Sequence, residues 1–118
     1  YECIGMYLNF WTDPETAPEI ARLPQNKCCS LGGLEDARAV AEKLNIPFYV
    51  MNVEEQFKAK VVDYFLEGYA VGRTPNPCVE CNRNIKFGDL MRRADELNAD
   101  YLATGHYAKI SHNTESGE

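Results

Sequence analysis

Arg73-Thr74-Pro75-Asn76-Pro77-Cys78-Val79-Glu80-Cys81-Asn82-Arg83-Asn84-Ile85-Lys86-Phe87 gathers two prolines, a Cys-x-x-Cys and several basic residues into one short stretch. Pro75 and Pro77 fix two φ angles and push Thr74 and Asn76 toward extended backbone. The part before Asn82 therefore reads as a stiff loop, with Asn82 or Asn84 capping a helix that begins near Ile85. Thiols placed just ahead of a helix meet unpaired N–H groups and the helix dipole, which favour a thiolate. Arg83 and Lys86 add positive charge nearby. The stretch reads as a reactive-thiol or metal-ligand loop. The plainer alternative is that either cysteine is a small buried hydrophobe. Spacing alone does not choose between a redox pair, half a zinc site and part of an iron–sulfur site.

Working outward, the spacing predicts a helix over Glu54–Tyr69 that presents Phe57, Val61, Tyr64 and Phe65 on one face. Glu54 and Glu55 suit its first turn, and Gly72 helps to close it. Ile46–Val53 reads as a strand once Pro47 forces extension. Leu34–Leu44 carries Leu34, Ala37, Val40, Ala41 and Leu44 at helical spacing. Cys3–Phe10 is a first strand, and Trp11–Gly33, with three prolines and two glycines, is a long loop of the kind that is functional or disordered. Downstream, Ile85–Leu97 is a helix with Phe87, Leu90, Met91, Ala94 and Leu97 inward, and Tyr101–Thr104 is a third strand. Strands alternating with helices imply a parallel α/β sheet. Ligands of such sheets bind beyond the carboxyl ends of the strands, here Leu8–Trp11, Met51–Val53 and Thr104–His106.

The chain has 118 residues, 45% of them hydrophobic, enough for one core or a part of one. Its formal charge of −6 does not advertise nucleic acid over the whole surface. Between Arg73 and Arg93, five Lys/Arg stand against two Asp/Glu, a local +3. That patch fits either phosphate docking or an ordinary solvated helix face. Five cysteines, Cys28 and Cys29 adjacent, make a poor disulfide framework and suit a reducing, cytoplasmic setting. No signal peptide or membrane span is visible. The chain starts without an initiator Met and ends in the polar run Ser111–Glu118, so an internal piece of a longer protein is expected, with residues 1–118 forming part of one domain.

Gly32-Gly33 lacks the Lys-Ser/Thr of a P-loop and the spacing of a dinucleotide fingerprint, and reads as a helix entry. Thr104-Gly105-His106-Tyr107 falls where a sheet ligand would lie. Gly105 would let a ligand approach the backbone, and His106 can donate a hydrogen bond or act as acid or base. Taken alone, the run also fits a turn glycine beside an exposed histidine. His112 lies in the polar tail and is assigned nothing.

Three runs together, Gly72-Arg73-Thr74-Pro75-Asn76-Pro77-Cys78-x-x-Cys81-Asn82, Ile85-Lys86-Phe87 and Leu102-Ala103-Thr104-Gly105-His106-Tyr107-Ala108, resemble the tRNA-specific 2-thiouridylase family. Cys29, Glu35-Asp36-Ala37-Arg38, Ile46-Pro47 and Val61-x-x-Tyr64-Phe65 also fall in family-like places. The resemblance runs from Ile4 to Lys109. It implies a Rossmann-like catalytic domain of the PP-loop ATP pyrophosphatase type, incomplete at both ends. It further implies transfer of sulfur to C2 of the tRNA wobble uridine after ATP, with Mg2+, adenylates the C2 oxygen. By the same resemblance Cys81 is the nucleophile, and Asn76, Pro77 and Cys78 contact the target base. Leu8 and Gly105 contact ATP, and His106 contacts tRNA. Arg83 and Lys86 are added as phosphate contacts from their charge. The partners implied are tRNA and a persulfide sulfur-donor protein.

Two departures from the family pattern matter. Its Ser-Gly-Gly-x-Asp-Ser phosphate loop and its second, persulfide-carrying cysteine are not in this sequence, so the piece alone is expected to be inactive and to bind ATP weakly. Position 78 is Asp in some members and Cys in others, and some members hold an iron–sulfur cluster through this loop. Cys78 and Cys81 are therefore also candidate cluster ligands. The alternatives from other classes are a zinc or iron–sulfur binding module and a thiol-disulfide redox domain. Val79-Glu80 and the helix context disfavour the second.

Overall fold

The computed structural model describes residues 1–10 and 31–109. Two strands, β1 (Gly5–Asn9) and β2 (Phe48–Asn52), pair in parallel, in register from Gly5 opposite Phe48 to Asn9 opposite Asn52. A parallel pair needs a crossover, and α1 (Leu31–Leu44) lies between the two strands in sequence. Gly5 donates to the Pro47 carbonyl at 2.8 Å where the pairing begins. Two long helices follow. The first, α2 (residues 54–70), runs as an α turn Glu54–Phe57, a π-helical segment Lys58–Val62 and an α segment Asp63–Ala70. The second, α3 (residues 77–96), repeats that plan as Pro77–Cys81, a π-helical Asn82–Asp89 and Leu90–Glu96.

All three helices close in the same way. After α2, Gly72 takes φ of +73°, its N–H donates to Tyr69 at 3.0 Å, and the Arg73 N–H reaches back to Gly68 at 2.9 Å. This is the Schellman arrangement, in which a left-handed residue lets the chain satisfy the last carbonyls. Asn45 (φ 53°) and Asn98 (φ 54°) do the same after α1 and α3. Asparagine is the usual substitute because its short polar side chain tolerates the left-handed region. Gly72 was read as a closure from the sequence, whereas Asn45 and Asn98 were not.

Val53, Val61, Cys81 and Ile85 form the buried centre where the end of β2, α2 and α3 meet, with Leu8, Phe10, Met51 and Phe57 packed against it. Phe10 and Phe57 meet edge-to-face at 5.1 Å. Beside this centre the two π-helical segments are bolted together. The buried Asp89 carboxylate accepts from Lys60 Nζ at 3.1 and 3.3 Å and from Arg92 Nη2 at 2.9 Å.

Four expectations are corrected. The helix expected near Ile85 begins at Pro77, so the cysteines stand inside its first turns and Asn82 and Asn84 are interior residues. The reason is local: Asn76 ahead of a proline at the first helical position is a helix-start signal. The two prolines had been taken only as stiffeners. The third strand over Tyr101–Thr104 is not formed. A strand exists only through a hydrogen-bonded neighbour, and residues 101–109 find none among the described residues, with Tyr101 held by its edge-to-face contact with Tyr1. The first helix begins at Leu31, which puts Gly32-Gly33 in its first turn. Residues 11–30 of the expected long loop lie outside the described residues. Finally, the apolar stripes are only partly inward, because Val40, Leu44, Phe87, Met91 and Leu97 are exposed and Ala41 is the buried residue of α1.

Candidate functional site

The first turn of α3 is built from its cap. Asn76 has extended backbone (φ −109°, ψ 97°), and its Oδ1 accepts from the N–H groups of Cys78 (3.1 Å) and Val79 (3.2 Å). Pro77 follows at the position where a missing N–H costs nothing. The cap is itself held from behind, since Pro75 lies against Gly68 of α2. A Cβ built on Gly68 would sit 2.8 Å from Pro75 Cγ. Asn76 therefore spends its carbonyl oxygen on the helix and keeps its Nδ2 amide as the group that can face a base edge.

The two thiols that this turn carries are unlike. Cys78 is exposed, and Cys81 is 8% exposed among Val53, Val61 and Ile85. The residue singled out as nucleophile is thus in the core, and its variable neighbour is at the surface. Leu8, singled out for nucleotide, packs its side chain against that same core from β1.

His106 is drawn onto α3. Its Nε2 lies 3.2 Å from Asn82 Oδ1, its Nδ1 lies 2.9 Å from Thr104 Oγ1, and its ring centroid lies 5.2 Å from that of Phe87. An amide oxygen only accepts, so Nε2 carries a hydrogen and donates to Asn82, while Nδ1 is paired with the Thr104 hydroxyl, which can either donate or accept. Two motifs 24 residues apart therefore meet at Asn82, the residue next to Cys81. Gly105 stands beside this contact with nothing within 4 Å of a Cβ built on it, and its backbone is not left-handed. Neither sterics nor conformation in the fold demands a glycine there.

Arg73, Arg83 and Lys86 have no acidic partner within salt-bridge distance among the described residues, whereas Lys60, Arg92 and Arg93 do. Arg83 and Lys86, on the same helix as the two cysteines, therefore carry charge that no acidic side chain among the described residues neutralises. At the carboxyl ends of the strands, Asn9 Nδ2 donates to Glu54 Oε1 at 2.7 Å and Asn52 Oδ1 accepts from the Glu54 N–H at 3.0 Å. This polar link across the strand ends escaped the sequence reading, although an Asn at each paired strand end was visible. Among the described residues no three His, Cys, Asp or Glu side chains come together as ligands for a metal ion. Cys78 and Cys81 stand three residues apart in the first turns of α3, one exposed and one buried. No helix among the described residues is long and apolar enough to cross a membrane.

A family model described as the tRNA methyl transferase HUP domain matches residues 1–118. The chain is 54% identical over 110 residues to a tRNA-specific 2-thiouridylase MnmA of Symbiobacterium thermophilum, covering 93% of this chain and 28% of that protein. It is 49% identical over 117 residues to one from Clostridioides difficile, covering 99% of this chain and 31% of that protein. The chain thus spans about three-tenths of the length of these relatives.

Proposed function

This chain belongs to the tRNA methyl transferase HUP domain family, and on that premise we propose that it is part of an enzyme that replaces the C2 oxygen of a tRNA uridine with sulfur. The observation that carries the reading is the meeting at Asn82 of the Cys78–Cys81 turn with the His106 segment. It joins two motifs 24 residues apart in sequence, which supports their serving one site. The family description speaks of methyl transfer, and the relatives' names speak of thiolation. Two thiols at a capped helix start favour sulfur chemistry.

The C2 oxygen of uracil is a poor leaving group. Transfer of AMP from ATP to that oxygen, with pyrophosphate released, makes C2 electrophilic. The outer sulfur of a persulfide on the family's second cysteine then attacks C2, and AMP departs with the original oxygen. The Cys81 thiolate attacks the inner sulfur, so that the S–S bond breaks and sulfur stays on C2. A disulfide between Cys81 and the second cysteine is left for reduction by an external thiol. Under this reading Leu8 and Gly105 offer backbone to the nucleotide, Mg2+ accompanies its phosphates, and Arg83 and Lys86 hold tRNA phosphates. Asn76 donates its Nδ2 to the displaced base, Pro77 supplies an apolar wall, Cys78 borders the base, and His106 stands at the tRNA side. Cys81 is the nucleophilic thiol, and a persulfide donor protein recharges the second cysteine. The target base must leave its stack to reach them.

The test is nucleoside mass spectrometry on unmodified tRNA incubated with the intact enzyme, a persulfide donor and ATP. The expected result is ATP-dependent 2-thiouridine, lost with Cys81→Ser because a hydroxyl cannot replace the nucleophilic thiolate. Methylated uridine without thiolation, or full thiolation by Cys81→Ser, overturns the proposal.

A further inference from the structure

Among the described residues, His106 is the anchor of the segment from Thr104 to Tyr107. Residues 101–109 have no strand or helix hydrogen bonding of their own, and Tyr107 is fully exposed. Yet the imidazole is held on three sides, by Asn82 at Nε2, by Thr104 at Nδ1 and by the Phe87 ring. Thr104 belongs to the same segment and cannot tie it to anything else. Phe87 offers a surface without direction. Asn82 is the group that gives the contact both a direction and a fixed partner on α3.

Asn82 is itself well placed to act as a post. It is half-buried in the helix, in the right-handed conformation (φ −60°, ψ −49°), directly after Cys81. Its side chain is not used for capping, which Asn76 performs. An interior helical Asn has modest helix propensity, so its presence is not accounted for by the helix. The hydrogen bond to His106 accounts for it.

The geometry points to Asn82 as a positioning residue, whose amide oxygen latches His106 and thereby holds Gly105 and His106 against the thiol-bearing helix. The latch rests on the proposed function only for what it positions, nucleotide at Gly105 and tRNA at His106. The contact itself does not depend on that reading. With both ring nitrogens engaged, His106 in the latched state donates through Nε2 and offers no open lone pair, so it acts as a fixed peg and not as a base.

The experiment is NMR of the imidazole protons of His106 in the intact protein, with substrate kinetics alongside. In the unaltered protein the ring protons carry the ring-current shift of Phe87 and cross-relax with it. Asn82→Leu is expected to remove both signs, and Asn82→Asp, which keeps an acceptor oxygen, to retain them. Thr104→Val, on the exposed segment, is expected to weaken them without touching α3. In turnover, Asn82→Leu is expected to raise KM for ATP and tRNA about fivefold, the equivalent of one hydrogen bond, with a smaller change in kcat. Ring signals that persist in Asn82→Leu overturn the latch. So does their equal loss in Asn82→Leu and Asn82→Asp, or an unchanged KM once the signals are gone. If the unaltered enzyme makes no 2-thiouridine, the proposed function falls while the NMR comparison still decides the latch.

Discussion

Replacing Gly68 by Ala tests how the thiol turn is held in place. Gly68 lies inside α2, where Ala is ordinarily better than Gly by about 1 kcal/mol. Here the added methyl would lie 2.8 Å from Pro75 Cγ and 3.1 Å from its Cβ and Cδ, closer than real Cβ contacts permit. The pyrrolidine ring cannot swing aside as the end of a long side chain would, because its φ is fixed by the ring. Its backbone is tethered as well, since the Arg73 N–H bonds to the Gly68 carbonyl at 2.9 Å. Overpacking of this kind costs about 1–3 kcal/mol. Set against the helix gain, the net loss expected is about 1 kcal/mol. Urea denaturation of the intact protein reads it, and Pro75→Ala in the Gly68→Ala background should recover part of the loss as a coupling between the two sites. A Gly68→Ala protein as stable as the parent, or a double variant with no coupling, would refute the packing argument. The turn that moves is the one ending at the Asn76 cap, so thiolation should fall further than stability alone explains.

Gly105→Ala is expected to do the reverse. With open space around the added methyl and no left-handed backbone, stability should not change, while KM for ATP rises if a nucleotide approaches that backbone; unchanged ATP kinetics would remove Gly105 from the site. Replacing Arg83 and Lys86 together by Gln should weaken tRNA binding and flatten its salt dependence by roughly one unit of slope per lost phosphate contact. An unaltered slope would assign both residues to the solvated helix face.

The strand–helix–strand–helix order, the acidic first turn of α2 and the closure at Gly72 were legible because each is written in neighbouring residues. The start of α3 was local too, yet it was misread. Asn76-Pro77 carries two signals, a stiffener and a cap with proline at the first helical position, and only the first was weighed. Tyr101–Thr104 has a strand's composition, but pairing is a tertiary fact that composition cannot supply. The burial of Cys81 and the docking of His106 on Asn82 depend on where α2 and α3 cross, which no single stretch encodes. The resemblance brought the thiol loop and the Thr-Gly-His-Tyr run together by pattern. The structure adds the atoms that join them.

The contrast between the thiols constrains any sulfur chemistry at this site. A sulfur packed among Val53, Val61 and Ile85 does not meet a tRNA base while the turn stays closed. Among the contacts that hold the turn are the Asn76 cap, the Pro75–Gly68 contact and the Asn82–His106 bond. Two of them lie in the residues proposed to touch the base and the tRNA. A tRNA that draws on His106 therefore competes with a contact that holds the turn, whereas a base bound to Asn76 Nδ2 leaves its capping Oδ1 in place. Under the proposed function, access to Cys81 is then expected to be coupled to tRNA binding, since the thiol is buried in the structure. Cys78 is already exposed. Alkylation separates the two: in the protein without tRNA, Cys78 should react first and Cys81 slowly, and tRNA should speed Cys81 relative to Cys78. Equal rates at both thiols without tRNA would contradict the burial from which the coupling follows.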